Sequence, residues 1–193
     1  MGNQVKYTGH LKKNGMTTDN KEIWIKTGYE IFALTGQSGL KIEPLAKKVN
    51  KSKSSFYHHF ADLELFIEFL LQHHIEQSYI IAEKEQKANT IDPELIQIFL
   101  AHRTDLLFNR QLRINQNIPS FAETLSQSNK IVGNAFLKTW VKDLNLQLTP
   151  QQIEGVYSLA LENFYLQINP DNLNHQWLSV YFANLKKVTR NIF

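Results

Sequence analysis

Apolar residues recur along this chain at three- and four-residue intervals, and the intervals divide it into a series of helices. A first helix is predicted from Asp19, with Glu22 placed three residues on as in a capping box. Trp24, Gly28, Ile31 and Phe32 form its buried stripe, with Ile25 and Tyr29 alongside, and Gly36 and Gly39 end it. Gly28 inside that helix costs about 1 kcal/mol relative to alanine, and the expected compensation is close approach of the helix at 53–60. A short helix follows over 42–49, where Leu45, Ala46 and Val49 make a narrow apolar stripe and Pro44 sits in the first turn. Asn50 stands where the chain must turn left-handed, and Ser52 is a good N-cap for a second short helix over 53–60. Asp62 caps a long helix predicted over 63–87.

Beyond this point the pattern stays helical. Asp92-Pro93-Glu94 reads as a cap with proline at the first helical position, opening a helix to about Phe108. A shorter segment runs to Asn117, Pro119 restarts the chain, and a helix is expected around 130–146. Thr149-Pro150-Gln151-Gln152 is a capping box that starts a helix to about Ile168. Asn169-Pro170-Asp171 turns into a last helix over about 172–191. Both final helices are apolar on two sides. In the first, Ile153, Tyr157, Ala160, Leu161, Phe164 and Ile168 form one stripe, and Val156, Leu159 and Leu166 the other. In the second, Trp177, Tyr181, Leu185, Val188 and Ile192 form one, and Leu178 and Phe182 the other. A hairpin with two apolar faces must pack against the rest of its own chain and against something else.

Length and composition change this picture little. At 193 residues, 42% hydrophobic and 20% charged, the chain suits a soluble globular protein with a sizeable core. No apolar run approaches the roughly 18 residues needed to cross a bilayer, and no secretory leader is expected at the start. The absence of cysteine excludes disulfide and thiolate chemistry and fits a cytoplasmic location. The charge is more informative. Residues 1–60 hold ten lysines against four acids, a net +6, while the remainder carries −3. A basic first third points to a polyanion partner for that third alone. Residues 1–18 are polar and without period, and are read as a flexible basic arm.

On the helix over 53–60, Phe56 and Phe60 share one face, and Lys53, Ser54, Tyr57 and His58 share another that has no aliphatic residue. Such a face suits a DNA groove, with cations for phosphates and short polar groups for base edges. At these residues the chain resembles the tetracycline-repressor (TetR) family of bacterial transcription regulators. Leu45-Ala46, Ser52-Lys53 and the block Phe56-Tyr57-His58-His59-Phe60 carry the resemblance. Upstream, Gly28-Tyr29-Glu30-Ile31-Phe32-Ala33 with Gly36 adds to it. The match covers roughly residues 20 to 70. Asn50 and Lys51 replace a glycine and a valine in the turn, Leu40 and Lys41 stand where hydroxyl residues usually cap the second helix, and Ala61 replaces a common lysine.

The resemblance implies an all-α chain: a three-helix DNA-binding head with a helix-turn-helix (19–62), and a helical body of about six helices for effector binding and dimerisation (63–193). The implied function is sequence-specific binding to a near-palindromic operator in double-stranded DNA, as a homodimer and a repressor released by a small molecule. Lys41, Lys51, Ser52, Lys53, Ser54, Ser55, Tyr57 and His58 are the expected DNA contacts, Tyr57 and His58 holding phosphates and Ser54 and Ser55 nearest the bases. The outer face of the last two helices, with Val156, Leu159, Leu178 and Phe182, is the expected dimer interface. The long helix over 63–87 would join head to body. For an effector, Phe99, His102, Phe121, Trp140, Asn163 and Phe164 are the candidates. The expected ligand is apolar and neutral or weakly anionic.

No nucleophile–base pair, phosphate-cradling loop or metal-ligand spacing is apparent, so no catalytic residue, metal or cofactor is expected. His73 and His74 are adjacent and so diverge by about 100° on a helix, which argues against a shared ion. The alternative reading is a helical carrier or sensor of an apolar metabolite with a vestigial DNA head.

Overall fold

The computed structural model of the chain describes residues 14–145 and 148–192. Among these residues are nine α-helices and no strand: α1 (Asn14–Thr35), α2 (Ile42–Lys48), α3 (Lys53–His59), α4 (Leu63–Lys87), α5 (Ile96–Ala101), α6 (Arg103–Ile114), α7 (Pro119–Leu144), α8 (Pro150–Gln167) and α9 (His175–Ile192). Most of the expected arm lies outside the described residues. Its last five residues, 14–18, already belong to α1, so Asp19 lies within that helix and not at its start.

Local chemistry sets several of the boundaries. Gly36 takes φ 69°, a conformation open to glycine without strain, and turns the chain out of α1. The Ser52 hydroxyl accepts the Ser55 N–H at 3.1 Å, and the Asp62 carboxylate accepts the Leu65 N–H at 2.8 Å. Thr149 and Gln152 form the full reciprocal capping box at the start of α8.

Elsewhere the expected boundaries give way. Asp92 has extended dihedrals (φ −109°, ψ 121°), as the residue before a proline prefers, inside a wide turn at Ile91–Leu95. The helix begins only at Ile96 and breaks again at His102, whose ring is drawn to Asp105 and Lys84. The expected helix at 130 is instead the second half of a continuous 26-residue α7. The last helix starts at His175, with the Asn174 side chain accepting the Trp177 N–H at 3.0 Å.

Long helices α4 and α7 lie against each other, and α1 lies against α6. Gly28 is the contact that lets α1 reach α4: a Cβ there would overlap the Phe66 ring. The expected partner, α3, is not what it meets. Tyr29 and Phe32 stack on Phe108 of α6, and Phe32 also meets Phe121 of α7 edge-on. α8 and α9 are joined to the rest by rings, with Tyr157 against Phe136 and Phe164 against Phe99 and Phe182. One apolar cluster thus runs without a gap from Trp24 in α1 to Phe182 in α9. No described helix is long and apolar enough to cross a membrane.

Candidate functional site

The helix-turn-helix is built on a floor of rings. Phe56 of α3 and Phe60, which caps its end, are buried and meet Phe66 of α4 edge-on, while Trp24 of α1 also meets Phe56 edge-on. Leu45, Ala46 and Val49 of α2 are buried in the same floor. Between α2 and α3 the chain turns at Asn50 with φ 53°, and the Lys51 N–H donates to the Ala46 carbonyl at 3.0 Å. Burial of Phe56 and Phe60 leaves the opposite side of α3 to solvent.

The eight expected DNA contacts differ in exposure. Lys41, Lys51, Ser52, Lys53, Ser54, Tyr57 and His58 are exposed, and Ser55 is half-buried, its N–H held by the Ser52 cap. Tyr57 is 55% exposed, with its ring edge-on to Phe56, so its direction is set by the floor. Lys53 and Lys47 both reach Glu43, at 3.6 and 3.5 Å, and Lys48 reaches Glu30 at 3.7 Å. Lys53 and then Lys47 hold the Glu43 carboxyl below its usual range. These are solvated pairs that add little to stability, and a lysine can leave them for a phosphate at little cost. His59, half-buried, is pushed down by burial and by the charges of His58 and Lys21.

Behind the head, a buried polar chain crosses three helices. Tyr29 Oη of α1 donates to Asp105 Oδ1 of α6 at 2.7 Å and lies 2.7 Å from His74 Nδ1 of α4. His102 Nδ1 meets Asp105 Oδ2 at 2.9 Å, and Lys84 Nζ meets His102 Nε2 at 2.7 Å. Lys84 can only donate, so His102 carries its proton on Nδ1 and gives it to Asp105. Tyr29 spends its single proton on Asp105, so His74 donates from Nδ1 to the phenol oxygen. That leaves His74 Nε2 buried without a partner among the described residues. Burial holds the ring neutral, with its pKa lowered to about 4. No group of three or more metal-ligating side chains occurs among the described residues.

Residues of α4 to α9 line a partly open cavity, and it brings together only two of the six effector candidates. Phe99 and Phe164 line it, with Phe136, Tyr157, Phe182 and Glu85. His102 is occupied by Asp105 and Lys84, as a satisfied core histidine. Phe121 is buried against Phe32, away from the cavity. Trp140 is buried against Phe136 and Tyr157. Asn163 is exposed, bonded to Gln167, and lines an outer groove between α8 and α9.

Glu85 was not among the candidates. It falls four residues after Ile81 and three after Ala82, which places a carboxyl in the buried register of α4; that register was the available signal. Among the described residues neither of its oxygens has a hydrogen-bond partner, and burial raises its pKa to about 8. With its proton held, that carboxyl is uncharged near pH 7 and can donate a hydrogen bond as well as accept one.

The expected dimer residues also divide. Leu159 is 75% exposed and Val156 half-buried, on the outward side of α8. Leu178 and Phe182, at 0% and 7% exposure, face inward to the aromatic core and cannot meet a second subunit. The outward side of α9 is instead Trp177, Val180 and Val188.

No protein-family model matches the sequence, and no curated protein is detectably similar to it. Solved structures do match. A protein assigned to the TetR-family transcriptional regulators from Mesorhizobium loti superposes with a TM-score of 0.59 at 14% identity, covering 91% of this chain and 95% of its own. A TetR/AcrR-family transcriptional regulator from Aquifex aeolicus gives 0.59 at 18% identity, covering 90% and 99%. A third, assigned to the same family and from a Rhodococcus species, gives 0.51 at 14%, covering 90% and 97%. The likeness covers about nine-tenths of the chain, and the chain has the fold of the TetR-family transcriptional regulators.

Proposed function

We propose that the chain is a sequence-specific DNA-binding transcriptional regulator, acting as a homodimer on a near-palindromic operator and released from it by a small molecule. In this reading α1–α3 are the head and α4–α9 the body. The observation that supports it best is the open face of α3: Ser54, Tyr57 and His58 exposed on a rigid ring floor, flanked by Lys41, Lys51 and Lys53. Tyr57 and the lysines are suited to phosphates, and Ser54 and Ser55 to base edges.

The test is fluorescence anisotropy with duplexes selected from genomic fragments. A selected fragment should bind far more tightly than random duplex, and affinity should fall steeply with salt as counterions are released. Tyr57→Ala should weaken binding to every sequence alike. Ser54→Ala and Ser55→Ala should change the preferred base at one position of each half-site, by on the order of 1–3 kcal/mol. A chain with no preference among fragments is not an operator-binding protein. The cavity around Glu85 would then favour the second reading, a small-molecule carrier or sensor whose helix-turn-helix no longer reads DNA.

A further inference from the structure

The cavity of the body is apolar except at one point. Its walls are the rings of Phe99, Phe136, Phe164 and Phe182 and the aliphatic chains of Leu106 and Leu161, and into this setting α4 places the Glu85 carboxyl. Glu85 is 0% exposed, and both its oxygens lack any hydrogen-bond partner among the described residues. Native interiors seldom leave a buried carboxyl unsatisfied, because its desolvation is then uncompensated. From the polar side chains around it no protein donor reaches it. A partner supplied from outside would have to bring donors, and it would have to be small. The centre of a water-sized sphere can range over about 60 Å3 inside the cavity. At roughly 10–15 Å3 for each water, that is room for about four to six non-hydrogen atoms.

We infer that this cavity binds a compact organic ammonium ion, its N–H groups on the Glu85 carboxylate and its alkyl body against the surrounding rings. The inference deepens the reading of the body as the effector-binding part of a regulator and rests on that reading. An ammonium is favoured over an alcohol by donor count. Three N–H groups can satisfy both carboxylate oxygens, whereas one hydroxyl satisfies a single oxygen. The faces of Phe99, Phe136, Phe164 and Phe182 add attraction for a cation that a neutral group does not receive.

The groups facing Glu85 leave it as the one that titrates near neutrality. From α8 come Tyr157 and Tyr165, both pushed well above the usual phenol range by burial. From α9 comes Tyr181, pushed up to about 12 by burial, with its hydroxyl donated to the Ala160 carbonyl at 3.0 Å. α5, α6 and α7 contribute Phe99, Leu106, Val132 and Phe136, with no titratable group. Arg113 of α6 approaches the Tyr165 ring at 4.8 Å and is ion-paired with Glu162. Within the same α4, His74 is held neutral, and Lys84 is engaged by His102. A cation must therefore displace the proton that Glu85 holds up to about pH 8.

The probes are butylammonium, 1-butanol and butyrate, of nearly equal size and differing in charge, titrated calorimetrically into the full chain. Near pH 8.5, butylammonium should bind about tenfold or more tightly than 1-butanol, and butyrate should give no heat. Below about pH 8 its dissociation constant should rise about tenfold for each unit of acidification, with one proton released on binding. Glu85→Gln should bind butylammonium no better than 1-butanol and show no pH dependence, while still accepting the alcohol as proof of folding. Should that variant not fold, the wild-type charge preference and pH slope decide alone. Equal affinity for amine and alcohol, a flat pH profile, or no binding of the amine would each overturn the inference. The regulator reading is scored separately by the operator titration. A chain that takes butylammonium but no DNA loses the regulator reading and keeps the site. One that binds its operator without preferring the amine loses the site alone.

Discussion

Two buried residues of α4 give stability opposite dependences on pH. Glu85 keeps its proton to about pH 8 in the fold, against an ordinary value of 4.5, so between those limits the folded chain binds the extra proton. Stability then falls as pH rises. His74 is lowered from 6.5 to about 4, so between those limits the unfolded chain binds the extra proton and stability rises with pH. From about 4.5 to 6.5 the two slopes oppose each other, and above 6.5 only that of Glu85 remains. At about 1.4 kcal/mol per unit, stability should fall by on the order of 2 kcal/mol between pH 6.5 and 8. Urea unfolding across that range measures it, and Glu85→Gln should level the curve. A wild-type curve already flat from 6.5 to 8 would mean that Glu85 is paired and ionised.

Between helices, α1 meets α4 at Gly28, where a Cβ would overlap the Phe66 ring. Gly28→Ala would gain about 1 kcal/mol of helix propensity, against about 1–3 kcal/mol for forcing a methyl into a filled core. The Phe66 ring it would strike is 0% exposed and pinned by Phe56 and Phe60, so it has nowhere to turn. The net effect should be a loss of up to about 2 kcal/mol in thermal or chemical unfolding, and a gain in stability would show that α1 can shift. The same contact marks what was legible beforehand. Ser52, Asp62, Thr149 and Asn50 act within a few residues of themselves, so caps and turn could be read from the chain alone. The partner of Gly28, the break at His102 and the continuity of α7 depend on neighbours distant in sequence. The same holds for the inner face of α9. Either of its apolar stripes could have faced inward, and the rings of Phe99, Phe136 and Phe164 select Leu178 and Phe182.

At the scale of the whole molecule, the outward side of α8 and α9 carries Leu159 and Leu166, at 75% and 78% exposure, with Val180 and Val188 beside Trp177. Soluble proteins rarely leave so continuous an apolar surface to water. The occupant we propose is the same face of a second copy, related by a twofold axis, which would form a four-helix interface and hold two heads for two half-sites. Leu159→Asp tests it, because a charge there is harmless in a monomer and unpaired in a dimer, at a cost of several kcal/mol. The variant should run as a monomer in light scattering, keep its helical circular dichroism, and lose operator affinity, since the two heads no longer raise each other's effective concentration. Leu178→Asp should behave differently. Its carboxylate would lie in the subunit core, so helical signal and dimer should be lost together. A wild-type chain that scatters as a monomer at micromolar concentration removes the interface. A dimeric Leu159→Asp variant moves the interface to another face.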